Sequence, residues 1–417
     1  MDRGSLADCK RRKDHALNVQ LARIGSVVAL LVLSLVLGFP ATAKGACMAS
    51  EARYDIPLPG HPFSVQEMPS GVVAFVSINS GNPNQSNGIG VLRCSNGHFT
   101  FSHLIRLEPQ PTGMALTRAG SLLVVADDGF IVFVDPAKAI AGEDAIVGYM
   151  QGAEGSVEDN DAGAVYVAIS PDDRFAFISE ESAGTITVVD LAKAREVQYS
   201  RRAIVGDIDV ANAPIALNLS NDGKFLFTTT EEGRRSFGWP NVCRPEGSPQ
   251  GTKPNHLPGA IFAIDVAKAE SNPRDAIVAK IPGGCAPVRM SLSADGLTAW
   301  VSNRGANSVS PISTSKLLAG DQTALGAPIA VGSNPVAIAA TRDGKYVLVG
   351  NTNRFGAGGT AAGTVSIIDT NSRSVIGTLQ VGEFPREFSH GVGSTLFLAN
   401  NRSDTLTVFD ESRLVSP

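Results

Sequence analysis

Charged and aromatic side chains are both scarce in this sequence of 417 residues, at 18% and 6%. Glycine is abundant by contrast, with 43 residues, and this composition suits a turn-rich, all-β protein better than a helical one. The formal net charge is −5, and no strongly basic run follows the first 43 residues. Because nucleic acids and anionic membranes attract clustered Lys and Arg, we expect neither as a partner.

Familiar catalytic and metal-binding motifs are missing as well. The sequence contains no Gly-x-Ser-x-Gly, no phosphate-binding P-loop, no Cys-x-x-Cys-His and no His-Glu-x-x-His. After the first 43 residues, only His98 and His103 are closely spaced histidines, and both fall in one polar strand. We therefore predict no cofactor and no metal.

The N-terminus has the layout of an export signal. A basic stretch, Lys10–Lys13, precedes the apolar run Ile24–Phe39, and small residues follow up to Ala43. The apolar run has 16 residues, fewer than the ~20 that usually cross a bilayer. We predict a signal peptide over residues 1–43 that is cleaved near Ala43, which places the mature protein in the periplasm or outside the cell. An uncleaved membrane anchor and a lipid anchor at Cys47 are the alternatives.

A unit of about 50 residues recurs along the rest of the chain. Each copy opens with an apolar strand and a Ser/Thr-x-Asp-Gly type turn, and continues with apolar runs around a polar turn. The copies begin near Pro62, Pro111, Ala164, Pro214, Pro287, Pro335 and Pro385, at separations of 49, 53, 50, 73, 48 and 50 residues. Such a period with about four short strands is typical of propeller blades. Residues 44–417 are therefore predicted to form a seven-bladed β-propeller of the all-β class.

The recurring strand sequences also resemble a known repeat. Ala299-Trp-Val-Ser-Asn303, Thr364-Val-Ser-Ile-Ile-Asp369 and Leu396-Phe-Leu-Ala-Asn-Asn401 are similar to the YVTN repeat of bacterial, extracytoplasmic YncE-like propellers. That family is related to the lactonase-like seven-bladed propellers. The resemblance covers nearly all of the chain after the signal sequence. It implies the fold and leaves the activity open, because propellers host many unrelated functions.

Two further features bear on the predicted ring. The last repeat ends after three strands, near Val408, whereas Arg53–Pro59 resembles the outer strands of other repeats. We predict that this N-terminal strand completes the C-terminal blade, which removes two exposed sheet edges.

An insertion at 233–258 lengthens the fourth repeat and carries Trp239. It is either a lid or recognition loop, or a tolerated surface insertion.

Four cysteines follow the predicted signal peptide: Cys47, Cys94, Cys243 and Cys285. An even number in an exported protein favours two disulfides, although four cysteines allow three pairings. In a propeller, the first two fall on the face opposite the channel mouth and the other two on the mouth face. We therefore predict the pairs Cys47–Cys94 and Cys243–Cys285, with free buried thiols as the alternative.

The second strands of the repeats end on one face, where their last residues surround the predicted channel mouth. Carboxylates dominate in the second to fourth repeats and arginines in the fifth to seventh. The acidic residues are Asp127, Asp128, Glu180, Glu181, Glu231 and Glu232, and the basic ones are Arg304, Arg354 and Arg402. The mouth is therefore predicted to have an acidic half and a basic half.

Large charged residues also occur on the innermost strands, where blades taper and small residues are expected. Arg289 stands in blade 5, and Arg386 and Glu387 stand in blade 7. Convergent guanidinium groups bind carboxylate or phosphate through paired hydrogen bonds, which indicates an anion site. The alternative is that these residues are structural links. The ligand-binding candidates are Arg289, Arg386, Arg304, Glu180, Asp127, Tyr166 and Trp239, and Glu387 is a candidate catalytic carboxylate.

These features favour a monomeric, non-enzymatic binding module of the cell envelope, with a protein or a small anionic ligand at the channel mouth. The alternative is a lactonase-like hydrolase of the 6-phosphogluconolactonase type, which the family resemblance implies. In it, an arginine would hold the acid group of a small lactone and Glu387 would activate water. A redox accessory subunit is a third hypothesis, for which the sequence offers no cofactor ligands.

Overall fold

The structure is a computed structural model of the chain. It describes Cys47 and residues 51–79, 87–153, 163–249, 251–355 and 362–414. The predicted signal peptide at 1–43 lies outside the described residues.

The chain forms seven antiparallel sheets of four strands each, and the first strands of neighbouring sheets contact one another around a ring. This confirms the predicted seven-bladed β-propeller. Blade 1 contains β2 (His61–Glu67), β3 (Val73–Asn79), β4 (Gly88–Ser95) and β5 (His98–Arg106). Blade 2 contains β6 (Pro111–Leu116), β7 (Leu123–Asp127), β8 (Phe130–Val134) and β9 (Ile146–Gln151). Blade 3 contains β10 (Ala164–Ile169), β11 (Phe175–Glu180), β12 (Thr185–Asp190) and β13 (Ile204–Asp209).

The remaining blades follow the same order from the axis outward. Blade 4 contains β14 (Asn212–Leu219), β15 (Phe225–Glu232), β16 (Gly259–Asp265) and β17 (Ile277–Gly284). Blade 5 contains β18 (Pro287–Leu292), β19 (Thr298–Asn303), β20 (Ser308–Ser313) and β21 (Ile329–Ala330). Blade 6 contains β22 (Pro335–Ala340), β23 (Tyr346–Asn351), β24 (Ala362–Asp369) and β25 (Ser374–Glu383). Blade 7 contains β26 (Pro385–His390), β27 (Thr395–Asn400), β28 (Thr405–Asp410) and, from the N-terminus, β1 (Arg53–Pro57).

The N-terminal strand closes the ring, as the sequence predicts. Strand β1 pairs antiparallel with β28 in a register that runs from Arg53 opposite Phe409 to Pro57 opposite Thr405. Ile56 of this strand is 3% exposed and packs into the core between blades 7 and 1. The clasp therefore joins the two ends of the ring through both backbone hydrogen bonds and apolar contacts.

The central strands are apolar on both faces because each blade packs between two neighbours. All six residues of β11 are buried, and Phe177 and Phe262 share one apolar cluster between blades 3 and 4. A strand that is covered on both faces has no solvent-facing positions to fill with polar residues. This is why the sequence shows short continuous apolar runs.

Four short helices follow third strands: α1 (Pro136–Ala141), α2 (Leu191–Glu196), α3 (Val266–Ala269) and α4 (Thr314–Leu318). Each begins after an Asp or Ser whose side chain accepts a backbone N–H of the first turn, as Asp135 does from Ala137 at 2.9 Å. These Asp and Ser side chains are therefore helix caps. Within the described ranges, no helix combines the length and the hydrophobicity needed to cross a membrane.

Both predicted disulfides are present. Cys47 pairs with Cys94, with Cα atoms 5.8 Å apart, and so ties the segment before β1 to the end of β4. Cys243 pairs with Cys285 at a Cα separation of 5.4 Å. The second disulfide anchors the segment between β15 and β16 to the connection between β17 and β18.

Candidate functional site

The innermost strands of the blades meet around the axis, and the second residue of each repeat faces its counterparts there. Five of these residues form one buried apolar cluster: Phe63, Val165, Ile215, Val288 and Val336. The equivalent positions on β6 and β26 hold Thr112 and Arg386. Arg386 is therefore a cation within a ring of mostly apolar side chains.

The next residue along these strands is small in four blades and is large and polar in three. The small residues are Ser64, Gly113, Ala216 and Ala337, and the large ones are Tyr166, Arg289 and Glu387 on blades 3, 5 and 7. At Gly113 a Cβ atom would lie only 2.5 Å from the carbonyl oxygen of Val165, so that position admits no side chain. The three large side chains occupy space that the small residues leave near the axis.

Tyr166, Arg289 and Glu387 form one buried polar cluster. The Tyr166 hydroxyl donates to Oε1 of Glu387 at 2.8 Å, and Nη2 of Arg289 lies 3.3 Å from Oε2 of the same carboxylate. Nε of Arg289 donates to the carbonyl oxygen of Arg386 at 2.9 Å. The side chains of Arg289 and Glu387 are 6% and 3% exposed. The cluster therefore links blades 3, 5 and 7 across the axis.

Burial sets the electrostatics of this cluster. It raises the pKa of Glu387, while the charge of Arg289 and the hydrogen bond from Tyr166 act in the opposite direction. Burial also raises the pKa of Tyr166 far above its usual value, so the phenol stays protonated and can donate. In the described part of the chain, Nη1 of Arg289 has no hydrogen-bond acceptor although it is buried. The cluster thus leaves one buried donor unused.

The guanidinium of Arg386 lies against aromatic rings. It is 4.2 Å from the centre of the Phe63 ring and 5.9 Å from that of Phe384. No acceptor among the described residues hydrogen-bonds to its buried Nε. Burial, followed by the like charge of Arg289, lowers the pKa of Arg386 to about 10. Its cationic form is therefore less well stabilised than that of an arginine in water.

A cavity of about 220 Å³ opens beside Arg386 at the channel mouth. Its apolar lining includes Val165, Ile215, Val288, Val336 and Phe384, and its charged lining is Glu181, Glu231, Arg289, Arg304, Arg354 and Arg386. The structure thus brings three predicted site residues, Arg289, Arg304 and Arg386, to one cavity. Tyr166 and Glu387 contact Arg289 directly.

Arg304 is held by two carboxylates at the edge of this cavity. Its Nη2 donates to Oε2 of Glu231 at 2.8 Å, and its Nε donates to both oxygens of Glu246 at 2.8 and 3.0 Å. Glu246 belongs to the insertion between β15 and β16. Burial raises the pKa of Glu231 despite Arg304, and the charges of Glu181 and Glu246 act in the same direction as burial. The acidic side of the mouth therefore has more carboxylates than arginines.

The other predicted site residues lie elsewhere in the fold. Asp127 is buried, and its Oδ1 accepts the backbone N–H of Gln110 at 2.5 Å. Glu180 is buried and accepts the backbone N–H of Ala153 at 3.3 Å. Trp239 packs against the core of blades 3 and 4, with its ring 5.0 Å from that of Phe237. Among the described residues, these three do not line the mouth cavity.

Sequence reasoning did not find two contributors to this site. Phe63 stacks under Arg386, and its repeat position, directly after Pro62, could have identified it as the neighbour of that arginine. Glu246 reaches Arg304 from an insertion that has no counterpart in the other blades, so the repeat carried no signal for it. No group of three His, Cys, Asp or Glu side chains that could hold a metal occurs in the described ranges.

No protein-family model matches the chain, and no curated protein sequence matches it. Among solved structures, the chain is similar to a hydrazine synthase chain of Kuenenia stuttgartiensis, with a TM-score of 0.61 and 17% identity over 89% of this chain and 99% of that one. It is also similar to the periplasmic gluconolactonase of Pseudomonas aeruginosa, with a TM-score of 0.58 and 20% identity over 82% of this chain and 88% of that one. At such identities the likeness concerns the fold alone.

Proposed function

We propose that this protein is a ligand-binding propeller whose channel mouth takes a small organic anion. The observation that carries the proposal is the guanidinium of Arg386, which lies on the Phe63 ring and lines a cavity. Burial and the like charge of Arg289 disfavour this cation. A bound anion would compensate the charge through charge-assisted hydrogen bonds in a partly dehydrated setting.

Two neighbouring arginines support an anion at this point. Arg354 lines the same cavity, and its charge also acts on Arg386 to lower that residue's pKa, after burial and Arg289. Arg289 lines the cavity as well, and its buried Nη1 has no acceptor among the described residues. A carboxylate has two oxygens and can accept from two guanidinium groups. The apolar lining suits the hydrocarbon part of such a ligand.

The proposed location is the cell envelope or the extracellular space. Two disulfides favour an oxidising compartment, and the N-terminal sequence has the pattern of an export signal. Relationship to the YVTN and YncE-like propellers rests on the strand sequences and remains part of this proposal.

The geometry favours binding over hydrolysis. A lactonase needs a general base that can reach water beside the substrate. Glu387, the candidate base, is 3% exposed and is engaged by Tyr166 and Arg289. It is also absent from the residues that line the cavity. We therefore keep the lactonase as the second candidate and test it alongside binding.

Calorimetric titration of the purified protein with butyrate and with inorganic phosphate tests the proposal. Arg386→Met removes a contact worth ~1.5–3 kcal/mol, so butyrate affinity should fall about tenfold to hundredfold. Arg174→Met is the matched control, because Arg174 also lies over a phenylalanine ring, at 5.4 Å, but does not line the cavity.

The control variant should bind butyrate as the wild type does. Equal affinity of the wild type and Arg386→Met would contradict the proposal, as would the absence of binding by the wild type. Hydrolysis of δ-gluconolactone by the wild type, above the uncatalysed rate, would favour the lactonase instead.

A further inference from the structure

The mouth cavity has opposite charges on its two sides. Blades 5, 6 and 7 supply the four arginines that line it, whereas blades 3 and 4 supply Glu181 and Glu231; the arginines are Arg289, Arg304, Arg354 and Arg386. Both sets line the same cavity of about 220 Å³. A molecule bound there would contact cationic and anionic groups at the same time.

Ion pairs within the protein do not neutralise the opposite charges of the two sides. On the basic side, Glu387 pairs with Arg289. Arg304 of blade 5 extends to the acidic side, where Glu231 and Glu246 share it. The charge of Glu181 acts on both Glu231 and Arg386, so Glu181 is near the basic side as well. Excess positive charge therefore remains around Arg354 and Arg386, and excess negative charge around Glu181 and Glu231.

A separate observation concerns Arg289, which lines the cavity on its basic side. Arg289 is only 5% exposed, and its buried Nη1 has no acceptor within the residues the structure describes. A buried donor without an acceptor costs free energy that a ligand oxygen can recover. Ordinary surface arginines carry no such cost, because water satisfies them.

We infer that the ligand is a small zwitterion with an aliphatic body, whose carboxylate meets Arg386 and Arg354 and whose ammonium group meets Glu181 and Glu231. This inference rests on the proposed anion site and names its ligand class. The volume of the cavity equals that of about seven waters at ~30 Å³ each, which suits a molecule of amino-acid size. Val165, Ile215 and Val288 provide the apolar contact for its body.

Four probes with four-carbon skeletons test the contribution of each charge of the ligand. The purified protein is titrated with α-aminobutyrate, γ-aminobutyrate, butyrate and butylamine, and dissociation constants are measured by calorimetry. At least one aminobutyrate should bind about tenfold more tightly than butyrate, since it adds a charge-assisted contact. The two aminobutyrates differ in the spacing of their charges. Which of them binds more tightly therefore indicates how far the acidic side of the cavity lies from the basic side.

Glu181→Gln tests the acidic side without disturbing the core, because Glu181 is exposed. The preferred aminobutyrate should lose about tenfold in affinity for this variant. Butyrate affinity should stay the same or rise, since a nearby negative charge has been removed. Glu196→Gln, at an exposed glutamate in α2 of the same blade, is the matched control and should change neither affinity. Arg386→Met should weaken both ligands.

The outcomes separate the two proposals. If butyrate binds as tightly as both aminobutyrates, or if Glu181→Gln weakens all carboxylates equally, the zwitterion is wrong and the anion site stands. If Arg386→Met binds every probe as the wild type does, the anion site is wrong and the inference falls with it. If none of the four probes binds at millimolar concentration, both are overturned.

Discussion

Replacing Arg289 by methionine should destabilise the propeller strongly. The substitution keeps most of the side-chain volume but removes the cation that faces Glu387 at 3.3 Å. It also removes the hydrogen bond to the carbonyl oxygen of Arg386. The carboxylate of Glu387 would then remain buried without its facing cation, and the Tyr166 hydroxyl would still donate to it at 2.8 Å.

The expected magnitude follows from burial. Breaking one side of a buried ion pair typically costs ~3–5 kcal/mol, because the remaining charge is uncompensated. The two side chains are 6% and 3% exposed, so solvent screens them little. By comparison, Lys224 and Asp222 form a pair with side chains 74% and 52% exposed. Lys224→Met should therefore change the free energy of unfolding far less and serves as the control.

The assay is equilibrium urea denaturation of the wild type and the two variants. The free energy of unfolding of Arg289→Met should fall by about 4 kcal/mol, and that of Lys224→Met should hardly change. The double variant Arg289→Met/Glu387→Leu should regain most of the loss, since it removes the unpaired charge as well. A loss for Arg289→Met no larger than that of the control would refute the structural role of the pair.

The stability loss of Arg289→Met should also depend on pH. Burial already raises the pKa of Glu387 in the folded protein, and losing Arg289 removes an opposing charge. An unfolded glutamate titrates near ~4.3. Because the folded pKa lies above the unfolded one, ionisation of Glu387 costs stability as pH rises beyond the unfolded value. The deficit of Arg289→Met should therefore be smaller at about pH 5 than at about pH 8.

Two further predictions concern other parts of the ring. Deleting residues 51–60 removes β1 and exposes the edge of β28, so the melting temperature should drop sharply; a truncated protein that melts with the intact one would show that the clasp is dispensable. Burial raises the pKa of Glu67 to about 7, against the hydrogen bond from the Val392 amide and the charge of Arg342. Its folded pKa exceeds the unfolded value of ~4.3, so its contribution to stability is complete below that pH and is lost as pH rises through about 7. Glu67→Gln should abolish this part of the pH dependence of urea unfolding, and an unchanged profile would show that another group is responsible.

The fold could be predicted from the sequence because each repeat corresponds to one blade. Residues such as Pro287 and Pro335 recur at nearly constant spacing and open the innermost strands. A propeller blade is defined by contacts that repeat with that period, so each copy supports the same assignment. The missing outer strand of the last repeat left one place for β1, and the structure shows it there.

The candidate site was predictable only where it follows the repeat. Arg289 and Glu387 occupy equivalent positions on blades 5 and 7, so the sequence placed both near the axis. Whether they meet depends on the diameter of the ring and on the small residues between them, such as Ala337, which no single repeat specifies. Glu246 could not be predicted as a site residue for another reason. It comes from an insertion whose path is fixed by the disulfide at Cys243 and by contacts with residues far away in sequence.

In the proposed function, adjacent residues of the inner strands combine structural and binding roles. Arg289, Tyr166 and Glu387 use the space near the axis to join alternate blades. Arg289 also holds the backbone of Arg386 through the carbonyl hydrogen bond. The backbone of Arg386 is thereby fixed from below while its guanidinium stays available to the cavity. A guanidinium held this way needs little reordering when an anion binds, which reduces the entropic cost of binding. In the proposed site, the buried cluster would therefore contribute to affinity by positioning Arg386 as well as stabilise the ring.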